Sequence, residues 1–174
     1  HVDLEYLPMI ANGFERIGIS WEVIGERSIR VDSTQSRKIL RTVSGQTNKV
    51  EDAPWPGFPA DLLSIITVVA TQMEGSLLIH EKMYESRMFF VDWLIRMGAD
   101  IILCDPHRAI VNGPRTLKPA IMSSPDVRAG MALVIAALCA EGVSTIQNIY
   151  QIERGYERLL EKLLGLGANI QRLG

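Results

Sequence analysis

The strongest constraint on this chain is that it repeats itself. One segment runs Pro59-Ala60-Asp61, an apolar run to Met73, Glu74-Gly75, a β-patterned stretch over 76–80, Tyr84-Glu85-Ser86-Arg87, then Leu94-Ile95-Arg96-Met97-Gly98-Ala99-Asp100-Ile101. Another runs Pro125-Asp126, an apolar run to Ala140, Glu141-Gly142, a β-patterned stretch over 143–148, Tyr150 to Arg154, then Leu163-Leu164-Gly165-Leu166-Gly167-Ala168-Asn169-Ile170. Gly75 and Gly142 lie 67 residues apart, as do Arg87 and Arg154, while Gly98 and Gly167 lie 69 apart. A partial third copy opens the sequence, with Phe14-Glu15-Arg16-Ile17-Gly18-Ile19 ahead of strand-like stretches at 21–24 and 28–31. Such spacing means one supersecondary unit built more than once, each burying its apolar face against the next.

The order within a unit follows from local chemistry. Asp61 and Asp126 stand where a carboxylate accepts from the free N–H groups of a first helical turn. Pro59 and Pro125 disfavour helix on the N-terminal side. The helices that follow, over 62–73 and 127–140, are apolar nearly all round, which predicts burial on most sides. Gly75 and Gly142 are expected as left-handed residues ending those helices. A short strand and a second helix come next, over 87–97 and 155–166. Phe90, Leu94 and Met97 in one, and Leu159, Leu163 and Leu166 in the other, fall at helical spacing and predict an outer helix lying on a sheet. Gly98 and Gly167 cap it, and 101–104 starts a strand that turns at 105–108 into 109–112.

Each unit is therefore β-α-β-α-β-β in cyclic order, which makes the fold class α/β (α+β). The expected bounds are 1–53 for a partial unit, 54–122 for a complete one and 123–174 for another partial one. The first unit lacks an opening strand and inner helix, its second helix lies near 4–17 with Pro8 an awkward fit, and the last stops at its third strand. The chain thus reads as cut from something longer. The polar link 32–52 offers only Ile39, Leu40 and Val43 as core candidates.

Charge and cysteine usage narrow the function. Lys plus Arg number 18 and Asp plus Glu number 20, a net charge of −2. That balance excludes a general polyanion binder, so no nucleic-acid partner is expected and an anionic ligand must be held by a few aimed groups. The longest apolar runs, 62–73 and 131–140, are far short of the roughly 20 residues that span a bilayer, so no membrane partner is expected. Cys104 and Cys139 lie far apart in apolar runs, which fits core positions and a reducing cytoplasm. His80 and His107 have no second ligand at metal spacing, so no metal site is expected.

Four stretches carry a resemblance: Pro54-Trp55-Pro56-Gly57-Phe58-Pro59-Ala60-Asp61, Tyr84-Glu85-Ser86-Arg87, Pro125-Asp126-Val127-Arg128-Ala129 and Ile152-Glu153-Arg154-Gly155-Tyr156-Glu157-Arg158. They closely resemble the UDP-N-acetylglucosamine 1-carboxyvinyltransferases, enolpyruvyl transferases of early peptidoglycan synthesis, over nearly the whole chain. The Asp-x-Arg helix start is shared with the shikimate-pathway enolpyruvyl transferase. The resemblance implies an inside-out α/β barrel, helices inside and sheets outside, in a two-domain protein of which this sequence matches only the C-terminal-half domain. It implies transfer of the enolpyruvyl group of phosphoenolpyruvate to the 3-hydroxyl of UDP-N-acetylglucosamine, with no cofactor. The missing N-terminal-half domain supplies the acid, a loop cysteine that neither Cys104 nor Cys139 matches, so the isolated chain is expected to be inactive.

Carried over residue by residue, Asp61 matches the base that contacts the sugar hydroxyl. Arg154 matches an arginine that binds phosphoenolpyruvate, and Arg87 is its counterpart one unit earlier. Met83 falls where the family meets UDP-N-acetylglucosamine, largely through backbone, and Asp126 with Arg128 shapes the cleft. Each has a plainer reading. Asp61 and Asp126 serve as N-caps, Arg128 pairs with Asp126, Arg87 and Arg154 pair with Glu85 and Glu153, and Met83 packs. An arginine ahead of a helix is unfavourable on dipole grounds unless an anion shares that end. Ala60, Glu153 and Gly130 depart from the family pattern, Gly130 at up to about 1 kcal/mol relative to Ala. Transfer to shikimate 3-phosphate and a non-catalytic binding module remain alternatives.

Overall fold

The computed structural model describes residues 2–39, 41–42, 44–85 and 87–173. Leu40 and Val43, two expected core residues, fall outside them, and Ile39 is buried. A 3-10 turn (Leu4–Tyr6) leads into α1 (Leu7–Glu15), followed by a hairpin of β1 (Glu22–Ile24) and β2 (Ser28–Arg30). Then come β3 (Asn48–Glu51), a 3-10 turn (Ala60–Leu62), α2 (Leu63–Thr71), β4 (Gly75–His80) and α3 (Phe90–Arg96). The chain continues through β5 (Asp100–Asp105), β6 (Arg108–Gly113), β7 (Ile121–Ser123), α4 (Val127–Cys139), β8 (Thr145–Gln147), α5 (Tyr150–Glu153) and α6 (Leu159–Gly165). Among the described residues, no helix is long and apolar enough to cross a membrane.

The same crossover occurs twice. Parallel strands β3 and β4 flank α2, and parallel strands β7 and β8 flank α4. In the larger sheet, ordered β3-β4-β6-β5, the register sets Leu77 opposite Val111 and Ile79 opposite Ala109. All four are fully buried and form the face that α2 covers. Helices α2 and α4 pack on each other, with Ile66, Val68 and Ala70 of one and Ala132, Leu133 and Ala136 of the other all at 0% exposure. The two apolar helices therefore lie inside and the sheet outside, as their all-round hydrophobicity requires.

The second-helix endings repeat to the hydrogen bond. Gly98 donates to Ile95 O and Ala99 to Leu94 O, both at 2.9 Å; Gly167 donates to Leu164 O and Ala168 to Leu163 O. Gly18 donates to Glu15 O and Ile19 to Phe14 O in the same way. All three glycines have φ between +81° and +96°, the left-handed residue of a Schellman ending.

Several expectations are corrected. Asp61 is not an N-cap: α2 opens through a tight 3-10 turn whose cap, Pro59, has no side-chain bond, and Asp61 lies inside that turn. Gly75 and Gly142 do not end helices. Glu74 leaves α2 early to exchange backbone bonds with Arg37 and Ile39, and Gly75 (φ +126°) then opens β4. A Cβ there would press on Ile39, as one on Gly142 would press on Pro119. Pro8 fits because α1 begins only at Leu7, which places the proline in the first turn. Both cysteines are exposed, Cys104 on β5 at the sheet edge and Cys139 on the last residue of α4, although partial enclosure pushes the Cys139 thiol up. Leu166, just past the end of α6, is 83% exposed, while Leu159 and Leu163 of the same predicted face are half-buried, so that face is covered only in part.

Candidate functional site

The site forms where the front ends of α2 and α4 meet beyond β4. Asp126 caps α4 as its sequence position predicts, its Oδ1 accepting from Arg128 N at 2.8 Å and Ala129 N at 3.0 Å. Ser64 on α2 donates from Oγ to Arg128 O at 3.2 Å, which ties the two helices together one turn in. Gly130 has a packing reason: a Cβ there would collide with Ser124 Oγ and the Ile152 side chain.

Arg128 does not pair with Asp126. Its guanidinium Nη1 donates to Asp61 Oδ1 at 2.8 Å, across from the 3-10 turn that precedes α2. Arg87, ahead of α3, faces Asp126 instead, with Nη1 at 4.0 Å from Oδ2. Both guanidiniums lie against the Tyr84 ring, 5.0 Å from its centroid for Arg87 and 5.4 Å for Arg128, so one aromatic ring holds two cations. Neither arginine makes the short-range pair its neighbours in sequence offer.

Met83 is 40% exposed and its backbone is the ordered part, with N donating to Asp52 Oδ2 at 3.3 Å. Lys82 N donates to the other oxygen of Asp52 at 2.5 Å. Asp52 is fully buried. Arg154 stands at the C-terminal end of α5, exposed, and donates to Gln151 Oε1 at 3.2 Å; Glu153 pairs with Arg172 instead. Arg154 therefore does not directly precede a helix starting at 155, and it forms no hydrogen bond or ion pair with Asp61 or Arg128. Its segment nonetheless borders the same cleft. Gly155 packs against Val127 at the start of α4, and Tyr156 has its phenol pushed up by burial and by the charge of Asp61.

Two acids in the site, Asp52 and Glu81, escaped the sequence reading. Glu81 is 4% exposed and lines the cleft together with Ala60, Ser64, Arg87, Asp126 and Arg128. Burial and the neighbouring Asp52 push its carboxyl up to about 7 against the pull of Arg87, Arg128 and His107. The signal was the register: Glu51 pairs with His80 in parallel strands, so the next residues, Asp52 and Glu81, emerge together. The cleft thus offers two fixed guanidiniums, carboxylates at its rim and one buried acid. That set can hold an anion and move a proton. Among the described residues, no group of three or more His, Cys, Asp or Glu is placed to hold a metal ion.

A family model described as EPSP synthase (3-phosphoshikimate 1-carboxyvinyltransferase) matches residues 4–163. The chain belongs to this family. It is 59% identical over 170 residues to a UDP-N-acetylglucosamine 1-carboxyvinyltransferase of Bradyrhizobium diazoefficiens, covering 98% of this chain and 39% of the relative. A protein of the same name from Treponema pallidum is 54% identical over 173 residues, 99% of this chain and 40% of that one. The chain therefore spans about two fifths of the length of these relatives. The crystal structure of the enolpyruvyl transferase NikO from Streptomyces tendae superposes with a TM-score of 0.80 at 27% identity, over 95% of this chain and 36% of that one. EPSP synthase from Acinetobacter baumannii, at 14% identity and a TM-score of 0.65 over 94% of this chain and 36% of that one, shares the fold. The enolpyruvyl-transferase fold that the resemblance implies is the fold found.

Proposed function

We propose that this family member is the C-terminal-half domain, units 1–53, 54–122 and 123–174, of a UDP-N-acetylglucosamine 1-carboxyvinyltransferase. It would act in the cytoplasm at the first committed step of peptidoglycan synthesis, and so serve cell-wall biogenesis, cell shape and division. The reaction joins the 3-hydroxyl oxygen of UDP-N-acetylglucosamine to C2 of phosphoenolpyruvate while C3 gains a proton; loss of that proton and of phosphate then leaves the enolpyruvyl ether.

The observation that carries this reading is the paired arrangement of Arg87 and Arg128 over Tyr84, with Asp61 on one and Asp126 on the other. Two guanidiniums fixed before substrate arrives stabilise negative charge developing on phosphate without reorganising. Asp61, whose side chain is 73% accessible, takes the proton of the sugar hydroxyl. The Met83 backbone, ordered by Asp52, contacts the nucleotide sugar, and Arg154 reaches the phosphoenolpyruvate when the N-terminal-half domain closes the cleft. That domain supplies the acid.

The test is phosphate release by the complete enzyme with each acceptor. UDP-N-acetylglucosamine is expected to support turnover, and Arg154→Ala to lower it by about 2–5 kcal/mol in transition-state terms. The family model's own description favours a second reading, transfer to shikimate 3-phosphate. Turnover with that acceptor and none with the nucleotide sugar selects it. Robust phosphate release by the 174-residue chain alone overturns the division of labour between the two halves.

A further inference from the structure

The cleft holds more acid than its cations balance. Arg87 faces Asp126 and Arg128 is bonded to Asp61, so each guanidinium already has its own carboxylate. Glu81 and Asp52 add two more acids at the inner end. Asp52 is occupied, accepting from Lys82 N and Met83 N. Glu81 is not: among the described residues its carboxyl makes no hydrogen bond. Its backbone is pinned, N donating to His107 O at 2.8 Å and O lying 3.0 Å from His107 Nδ1, so the side chain is held on the cleft wall. Among the described residues no fully enclosed side-chain oxygen lacks a partner, so the Glu81 oxygens are not sealed off, and the residue lines the cleft together with Arg87 and Arg128.

An anion entering between Arg87 and Arg128 meets that carboxyl at close range. Two like charges in one enclosed site cannot both persist, and the buried acid gives way first because its charged form is already disfavoured. We propose that Glu81 is the proton switch of this cleft, taking a proton from water when a phosphate or carboxylate group binds between Arg87 and Arg128 and returning it on release. This rests on the anion-binding reading above and adds to it a residue and a direction of proton flow. Arg87, Arg128 and His107 pull Glu81 down from three separate elements and Asp52 opposes them, while Asp126 shares the cleft wall.

The test uses inorganic sulfate, whose charge stays constant across neutral pH, at fixed ionic strength. Its binding to the chain is followed at the side-chain N–H signals of Arg87 and Arg128 from about pH 6 to about pH 9. Sulfate affinity of the wild-type chain is expected to fall by up to about tenfold per pH unit above neutrality, and that of Glu81→Gln to stay flat. Carboxyl-carbon NMR of wild-type Glu81 gives a second reading that needs no variant, with a titration midpoint that saturating sulfate moves upward. Equal slopes in the two proteins, or a midpoint that sulfate leaves in place, overturn the role of Glu81 alone. Absence of sulfate binding in both proteins at every pH overturns the anion cleft itself.

Discussion

Arg128 is held from two sides by two different aspartates: Asp126 accepts from its backbone N at 2.8 Å, and Asp61 accepts from its guanidinium at 2.8 Å. The first bond belongs to the helix and the second to the cleft. Asp126 fixes where α4 starts, and Asp61 fixes where the charge at that start points. The repeat thus uses equivalent aspartates in consecutive units for unlike tasks, because α4 has a side-chain cap and α2 opens through a 3-10 turn instead.

This division predicts an asymmetry in stability. Asp126→Ala removes two bonds to first-turn N–H groups and is expected to cost about 1 kcal/mol or more. Asp61→Asn breaks only an exposed ion pair and is expected to cost well under about 1 kcal/mol. Urea denaturation of the two variants measures the difference. Equal losses would mean that Asp61 carries helix stability after all.

Glu81 links stability to pH with a definite sign. Its carboxyl sits near 7 in the folded chain against an ordinary value of 4.5, so between those values the unfolded chain has released a proton that the folded chain keeps. The stability this contributes is fully present below the lower value and lost as pH rises through the upper one, a total on the order of 3 kcal/mol. Carboxylates elsewhere, such as Asp105 and Asp100, are held low by arginine partners and act in the opposite sense. The difference between wild type and Glu81→Gln therefore isolates the effect. Denaturation midpoints across that pH range should show the variant gaining on the wild type, and a constant difference would contradict the assignment.

What was legible from the chain is what depends on neighbours in sequence. The Schellman endings at Gly18, Gly98 and Gly167, the Asp126 cap and the hairpin through Pro106-His107 each involve residues within about five positions. Continuous apolar runs located the inner helices and apolar periodicity the outer ones, but periodicity could not show whether anything covers Leu166, which stays exposed. Cys104 and Cys139 have apolar neighbours in sequence but sit at a sheet edge and a helix end. Asp52 and Glu81 stayed hidden because their partners lie 30 residues or so away and only strand register joins them. Arg128 was placed on the right helix end with the wrong partner, since Asp61 is 67 residues distant.

Gly130 tests packing against propensity. In an exposed helix Gly→Ala gains up to about 1 kcal/mol. Here the added methyl meets Ser124 and Ile152, both buried, and overpacking of this kind costs about 1–3 kcal/mol. Gly130→Ala is expected to destabilise on balance, read as a lowered melting temperature. A rise would show that the loop carrying Ser124 yields freely.

Asp52 is the residue on which the order of the Met83 backbone depends. Its carboxylate, 0% exposed, accepts from Lys82 N and Met83 N and so turns the chain out of β4 toward Tyr84 and Arg87. Asp52→Ala leaves two N–H groups without acceptors, each at about 1–3 kcal/mol if they remain buried. Asp52→Asn keeps one acceptor oxygen and removes a like charge from beside Glu81. The alanine variant is therefore expected to lose stability and to show faster amide exchange at residues 82 and 83. The asparagine variant is expected to lose less and to lower the Glu81 titration midpoint, because Asp52's charge is part of what raises it. Amide exchange and the Glu81 carboxyl signal read the two effects separately. An unmoved midpoint in Asp52→Asn would leave burial as the whole cause, and unchanged exchange in Asp52→Ala would remove Asp52 from the positioning of the Met83 backbone.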